Sequence, residues 1–426
     1  MSTLMLQILP VWFAALLLGV PLFVSMALAA IAFAYFGAFP IGIVPQKIAQ
    51  SAYSFPLLAA PLFILMGNIM NSAGITDRIF AFATTCVGFM RGGLCHANIL
   101  ASVIFAGMSG SAVADAGGVG TLEIKAMRDE GYNPETAAAI TAASATIGPI
   151  IPPSIPMIVF SMVSGVSVAK LFFAGAVPGL LIGLVLMLYV YFVAKRRNYP
   201  AGGATSWRVL GQALVAGTLP LLTPVILLGS IYFGIVTITE AAAVATLYAL
   251  ALGVFAYRTL SLADFVDCLK NTFVTGGSIL ILLPAAKVFG FALTTEGVSA
   301  MFAGAVLGIS SDPLFVLLMI NLLFLGLGLI SDPNVNIMLF VPIVMPMALA
   351  VGLDPVHVGV VIVVNCMIGL VTPPVGGLLF AICGLEKLRM EEVTRAIWPF
   401  LAILLGVVTV ISLVPQLSLA LPRMLF

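Results

Sequence analysis

The chain has 426 residues, 62% of them hydrophobic and 8% charged, with mean hydropathy +1.23 and formal net charge +1. Soluble domains carry about 25% charged residues, so this sequence belongs to a polytopic membrane protein with nearly all its mass in the bilayer. The near-zero net charge gives no electrostatic case for nucleic acid as a partner. The five cysteines (Cys86, Cys95, Cys268, Cys366 and Cys383) have no metal-ligand spacing, and their odd number argues against a complete disulfide framework. Each is expected to pack as a small hydrophobe. The start, Met-Ser-Thr-Leu-Met-Leu, lacks a basic n-region, so the first apolar segment is expected to remain in the mature protein.

Residues 3–36 are apolar and broken at Gly19-Val-Pro21, which suits two short helices or one long tilted one. Residues 44–56 are more polar and read as interfacial. A helix over 57–72 closes at Asn71-Ser-Ala-Gly74, and Thr76-Asp77-Arg78 opens an amphipathic stretch to about Gly88. Residues 93–128 are apolar but interrupted at Ser109-Gly110-Ser111-Ala112-Val-Ala-Asp115. Each side has about 15 residues, too few to span comfortably, so a re-entrant hairpin with a small polar tip is expected. A surface turn at Arg128-Asp-Glu-Gly131-Tyr-Asn-Pro134 leads into a helix that is interrupted at Ile147-Gly-Pro-Ile-Ile-Pro152-Pro153-Ser154 and resumes over 154–164. Paired prolines remove backbone donors and clash with the preceding turn, so a helix cannot run through them. A full span over 168–194 ends in Lys195-Arg196-Arg197, which with Arg208 makes the densest basic loop. The positive-inside rule places that loop in the cytoplasm.

Spans are expected at about 213–234 and 238–257, then an amphipathic stretch from Asp264 to Asn271 and apolar segments over 274–292 and 298–310. Residues 313–348 form a second interrupted stretch, broken at Ser331-Asp332-Pro333-Asn334. A turn at Gly352-Leu-Asp354-Pro355 precedes a helix broken at Ile368-Gly-Leu-Val-Thr372-Pro373-Pro374-Val375, and a last span is expected over about 397–421. At an offset of 221, Gly131 meets Gly352, Pro134 meets Pro355, Ile147-Gly148 meets Ile368-Gly369, Pro152-Pro153 meets Pro373-Pro374, Pro178 meets Pro399, Ser144 meets Asn365 and Ser111 meets Asp332. A register shared by glycines and prolines points to an internal duplication. Two helices broken alike in two halves mark a transporter's binding centre, and an inverted repeat with a cytoplasmic middle loop puts both termini outside.

The four interruptions supply the candidate chemistry. The tips offer Ser109, Gly110, Ser111 and Asp332; the broken helices offer Ser144, Thr146, Pro149, Asn365, Thr372, Pro373 and Gly376. Hydroxyls, carbonyls and a carboxylate are the donors a hard cation such as Na+ takes, by extension from calcium and magnesium, and helix termini at the same depth add their dipoles. Ser109, Ser111, Pro153, Ser154, Asn334 and Gly376 are the candidate substrate contacts. Each Ser or Thr could equally cap a helix end or permit close packing. Asp332 reads both as a functional carboxylate and as an N-cap before Pro333. Asp115 could cap, pair or touch ligand. Glu240, after Thr237-Ile-Thr239, is expected to cap a helix start, and Lys287 and Glu296 to pair or snorkel. His96 and His357 are isolated and suggest neither a metal site nor a relay. No Ser-His-Asp set, HExxH, Walker A or GxGxxG-plus-acid pattern supports an enzyme or an ATP-driven pump.

At these residues the chain resembles the large membrane (M, or DctM-like) subunit of the TRAP (tripartite ATP-independent periplasmic) transporters. The matching elements are Ser54-Phe-Pro-Leu-Leu-Ala-Ala-Pro-Leu-Phe-Ile-Leu-Met-Gly-Asn68, Ser109 to Asp115, Ile147 to Pro156, Thr239-Glu-Ala-Ala-Ala-Val244 and Ile368 to Gly376. The resemblance implies an all-α, elevator-type secondary transporter with two re-entrant hairpins and two broken helices in an inverted repeat. It implies sodium coupling, organic-acid substrates (sialic acid, dicarboxylates or sugar acids), a small Q (DctQ-like) membrane subunit, here expected as a separate chain, a periplasmic substrate-binding protein, and a place in the bacterial inner membrane. Pro-Asn-Val-Asn after Asp332 and Gly377 after Gly376 depart from commoner family residues, so the substrate is expected to differ from that of the commonest members. Domains follow: scaffold and arm helices over 1–92, a first transport half over 93–165, scaffold and arms over 166–312, a second transport half over 313–386, and a C-terminal arm and scaffold helix over 387–426. The alternatives are an anion transporter working without a binding protein and a non-transporting membrane scaffold.

Overall fold

The computed structural model describes residues 3–37, 40, 42–52, 55–196, 199, 202 and 207–426. Arg197 of the basic loop and Ser54 of the first motif lie outside the described residues. Among the described residues every regular element is a helix.

Two short helices, α1 (Thr3–Leu17) and α2 (Leu22–Phe36), flank the Gly19–Pro21 break. The interfacial segment forms α3 (Ile43–Ala52). Next come α4 (Phe55–Ser72) and α5 (Ile75–Val87), bent 72° from each other. The first hairpin runs down α6 (Gly93–Ser109) and returns through α7 (Ala112–Asp115), a π-helical turn Ala116–Gly120 and α8 (Thr121–Asp129). At 1.5 Å per residue α6 reaches roughly 25 Å, short of a 30 Å hydrocarbon core. The first broken helix is α9 (Pro134–Ala145) and α10 (Ile155–Ser164), followed by α11 (Val168–Arg196).

The second half runs α12 (Trp207–Tyr232), α13 (Ile238–Ala251) with a π-helical end, Leu252–Ala256, and α14 (Leu262–Thr295). It continues with α15 (Val298–Leu307), the hairpin α16 (Pro313–Gly328) and α17 (Pro333–Ala350), and the broken helix α18 (Pro355–Gly369) and α19 (Gly377–Glu386). It ends with α20 (Met390–Leu413) and α21 (Gln416–Leu425).

Shifted by 221 positions, α6 falls on α16, the returning arm on α17, α9 on α18, α10 on α19 and α11 on α20. Even the caps repeat. Asn133 accepts from the amides of Glu135 (3.0 Å) and Thr136 (3.2 Å), and Asp354 accepts from Val356 (2.9 Å), each just ahead of a proline at the first helical position.

Three expectations change. The stretch from Asp264 to Asn271 is the first part of α14, not a separate element. A capping box between Ser261 and Asp264 starts that helix, and a change of polarity at Asn271 without Gly or Pro does not stop it. The last span starts at Met390, not 397, and ends at Leu413, because Pro415 caps a separate helix, α21. Lys287 reaches the carbonyl of Met162 at 3.3 Å, a contact from α14 to the end of α10. The capping role of Glu240 is as expected: it closes a capping box with Thr237.

Five of these helices are long and apolar enough to cross a membrane, or up to seven if two bent pairs each count as one span, among the described residues. Outward faces of α2, α11 and α12 leave Leu28, Ile31, Leu184, Leu188, Leu219 and Val225 exposed, the pattern of a surface turned to lipid. At the centre, every residue from Ala137 to Ile150 and from Val356 to Val371 is buried, as expected of helices apolar on all sides. The two halves interlock. The far half of each broken helix packs on the opposite hairpin, α10 on α17 and α19 on the returning arm Ala112–Asp129. Helix α11 lies against α6, α10 and α18, and α20 against α9, α18 and α19. A second group, α2, α3, α4, α13 and α14, packs together beside them.

Candidate ion and substrate site

The first hairpin turns at Gly110 in the left-handed region (φ 65°), which costs an L side chain about 1–2 kcal/mol and glycine little. Space restricts this position as well: a Cβ on Gly110 would stand 2.6 Å from the Pro153 carbonyl oxygen and 3.5 Å from the Ile155 amide. Tip 1 therefore sits backbone to backbone on break 1, and Ser109, Gly110, Ser111, Pro153 and Ser154 form one neighbourhood. Ser111 caps α7 by accepting from the Ala114 amide (3.4 Å), and its own N–H donates to the Ser109 hydroxyl (3.3 Å). The Ser109 hydroxyl donates to Asp115. Any side chain at Gly148 would run into the other Asp115 oxygen, which is buried without a hydrogen-bond partner. Asp115, left open by the sequence, is thus a paired carboxylate wedged between tip 1 and break 1.

Break 1 is closed by its own groups. The Thr146 hydroxyl donates to the Ala143 carbonyl (2.6 Å), and that of Ser154 to the Pro149 carbonyl. Ser154 also caps α10 through the Met157 amide (3.2 Å). The Pro152–Pro153 and Pro373–Pro374 peptides are both cis.

In the second half, Gly328 and Gly369 bring α16 and α18 into backbone contact, so a Cβ on Gly328 would lie 3.0 Å from the Gly369 Cα. Asp332 accepts from the Asn334 amide (2.8 Å), confirming the N-cap, and is exposed. The Asn334 side-chain oxygen is buried without a partner. Thr372 donates to the Ile368 carbonyl (2.7 Å), and the Leu378 amide closes break 2 on the Leu370 carbonyl (3.0 Å). Gly376 is buried and Pro373 half-buried, while Pro374, Val375 and Gly377 are exposed. Break 1 is enclosed; break 2 and tip 2 are open.

Two predicted ligands turn elsewhere. Ser144 bonds to Asn98 (2.7 Å) and Ser102 (3.0 Å) on α6, and Asn365 to Asn321 (2.5 Å) and the Val361 carbonyl (2.8 Å). Sequence reasoning passed over Asn98, Ser102, Glu123, Thr141, Asn321, Asn336 and Ser412. A signal existed: Asn98/Ser102 and Thr141/Ser144 are polar pairs at helical spacing inside apolar runs.

Residues 9–417 match the family described as the tripartite ATP-independent periplasmic transporter, DctM component. This chain belongs to the TRAP transporter DctM family. It is 44% identical over 414 residues, 97% of each chain, to the sialic acid TRAP transporter large permease protein SiaM of Vibrio cholerae serotype O1. It is 39% identical to the sialic acid TRAP transporter permease protein SiaT of Haemophilus influenzae, over 97% of this chain and 68% of that one. Identity is 38% to the C4-dicarboxylate TRAP transporter large permease protein DctM of Pseudomonas aeruginosa, over 89% of each chain. The YdaH transporter of Alcanivorax borkumensis, whose crystal structure is described as having an unusual topology, shares the fold (TM-score 0.63, 13% identity, 90% of each chain). As a DctM-family member the chain is a multi-pass membrane permease and not an enzyme.

Proposed function

We propose that this permease is the translocating subunit of a sodium-coupled importer of a small organic acid, working in the bacterial inner membrane. A periplasmic binding protein delivers the acid, and a small Q-type membrane subunit completes the permease. The observation that carries the reading is the docking of tip 1 on break 1, which gathers Ser109, Ser111, Asp115 and the break-1 carbonyls at the centre of a membrane-embedded body. Oxygen donors of this kind suit Na+. One sodium site is assigned to Ser109–Ser111 with the Pro149 region. The other is assigned to Asp332 and Thr372–Gly376. The acid binds between them, against Ser111, Pro153, Ser154, Asn334 and Gly376. The relatives named for sialic acid and C4-dicarboxylates support an organic-acid substrate.

For the motion we propose an elevator whose moving body is larger than 93–165 plus 313–386. It includes α11 and α20, because both lie against the broken helices of both halves. The group around α4, α13 and α14 is the scaffold. The test is uptake into proteoliposomes holding the permease with its Q-type subunit and liganded binding protein. An inward sodium gradient should drive uptake; equal uptake driven by a pH gradient without sodium would overturn the coupling.

A further inference from the structure

Half 1 contains a buried polar cluster built around an acid that half 2 lacks at the matching position. Its hub is the Asn98 amide on α6. That amide lies 2.6 Å from Glu123 Oε2 on α8, 2.7 Å from Thr141 Oγ1 and 2.7 Å from Ser144 Oγ on α9. Ser102 Oγ adds a contact of 3.0 Å to Ser144. All five residues are buried. At the positions 221 further on, Asn98, Ser102, Glu123 and Thr141 are replaced by Met319, Leu323, Val344 and Ile362. Half 2 joins the matching helices through Asn321 on α16 and Asn365 on α18 (2.5 Å) and has no acid at the matching place, so the fold alone does not call for a carboxyl group here.

Glu123 is 1% exposed, and its Oε1 is buried with no hydrogen-bond partner. Among the described residues no cation stands within ion-pair distance of it. The titratable neighbour on its own arm is another acid, Asp115. On α8 itself Lys125 and Arg128 are exposed, and Arg128 pairs with Glu386 of α19 (3.1 Å). From α6 the titratable groups are Cys95, in contact with Met127, and His96, whose ring nitrogens are buried and unpartnered. α9 brings Glu135 at its first turn, and α19 also brings Lys387, which is exposed. An ionised carboxylate here would carry an uncompensated buried charge, whereas a neutral acid leaves only one unpaired carbonyl oxygen.

The geometry agrees. A separation of 2.6 Å is short for an amide N–H···O contact and ordinary for O–H···O. Half a turn of the Asn98 amide about its last bond keeps every heavy atom in place. Its oxygen then accepts from the Glu123 acid and the Thr141 hydroxyl, while its NH2 donates to Ser144. The Ser144 hydroxyl is then free to donate to the Thr141 carbonyl at 3.1 Å. A sodium ion has no such place, because the amide itself fills the centre of the cluster.

We propose that Glu123 is a proton-binding site: it holds a proton that it donates to Asn98, and this turns the Asn98 amide toward Ser144 ahead of break 1. The site stands apart from the sodium sites, and only the uptake readout of its test rests on the proposed function. The test is infrared difference spectroscopy of the purified permease with its Q-type subunit in lipid at neutral pH. The wild type should show the carbonyl stretch of a protonated carboxylic acid. Glu123→Gln should lose that band while keeping sodium-driven uptake, and Asp115→Asn should keep the band. Asn98→Leu, which removes the acceptor, should move the band to higher frequency, a readout that does not require transport. A wild type without a band sensitive to Glu123→Gln overturns the proposal.

Discussion

The contact between tip 1 and break 1 can be tested by adding a single methyl group. Gly110→Ala places a Cβ in the left-handed region, at about 1–2 kcal/mol, and pushes it against the Pro153 carbonyl, which is backbone and cannot swing aside. Overpacking of this kind costs about 1–3 kcal/mol. Gly131→Ala is the matched control: its φ is 82°, yet nothing stands within 4 Å of the added Cβ. It should carry the conformational cost alone. The difference between the variants isolates the steric part, about 1–3 kcal/mol, or roughly 5- to 150-fold in the equilibrium between docked and undocked tip. Both variants would be followed by thermal melting in detergent and by sodium-driven uptake in proteoliposomes. Gly110→Ala should melt below Gly131→Ala and lose more uptake. If the two melt and transport alike, tip 1 does not rest on break 1 and the site built around it is wrong.

Four further outcomes are expected. Gly369→Ala drives a Cβ into the Gly328 backbone and should separate α16 from α18, lowering the melting temperature; an unchanged melt would refute the close crossing. Asp332→Ala and Thr372→Ala should reduce sodium-dependent uptake at normal membrane levels. Asp332→Ala also removes a cap worth about 0.5–2 kcal/mol, and wild-type sodium dependence in both variants would count against the second ion site. Ser109→Cys should become reachable by aqueous thiol reagents from either side as inward and outward states are trapped, whereas a cysteine at Trp12, packed on Phe289 of α14 at 4.8 Å, should not. A tip cysteine reachable from one side only while transport persists would end the elevator reading. Lys287→Met removes the contact from α14 to the Met162 carbonyl and should shift the balance of accessible states at that tip cysteine; an unaltered balance would show that this lysine does not hold the moving body.

Breaks in helices were readable because glycine and paired proline act locally. Gly110-Ser111, Pro152-Pro153 and Pro373-Pro374 interrupt their helices wherever they are placed, and their shared register exposed the duplication. The continuity of α14 was harder to see: a run from Asp264 to Asn271 looks like an end when polarity alone is followed, but helices stop at caps and prolines. Ligand assignment suffered from a different limit. Ser144 and Asn365 stand at matched positions, yet each bonds to a polar side chain on its own half's hairpin, Asn98 or Asn321. Which way a polar side chain turns depends on neighbours 40 or more residues distant in the chain. Glu123 escaped notice because it sits in a polar-looking run, Thr-Leu-Glu-Ile-Lys, whose inner face becomes apparent only once α8 is packed on α9.

The exchange of partners between halves, α10 lying on α17 and α19 on the first hairpin's returning arm, has a consequence for assembly. Neither half can complete its own broken helix's packing, so the first half leaves the ribosome with a membrane-embedded apolar helix still lacking its mate. Two separately expressed halves should therefore seek each other, and an orphaned first half should pair with a second copy of itself. Duplication from an ancestral homodimer would leave this trace: a contact once made between molecules, now made within one chain.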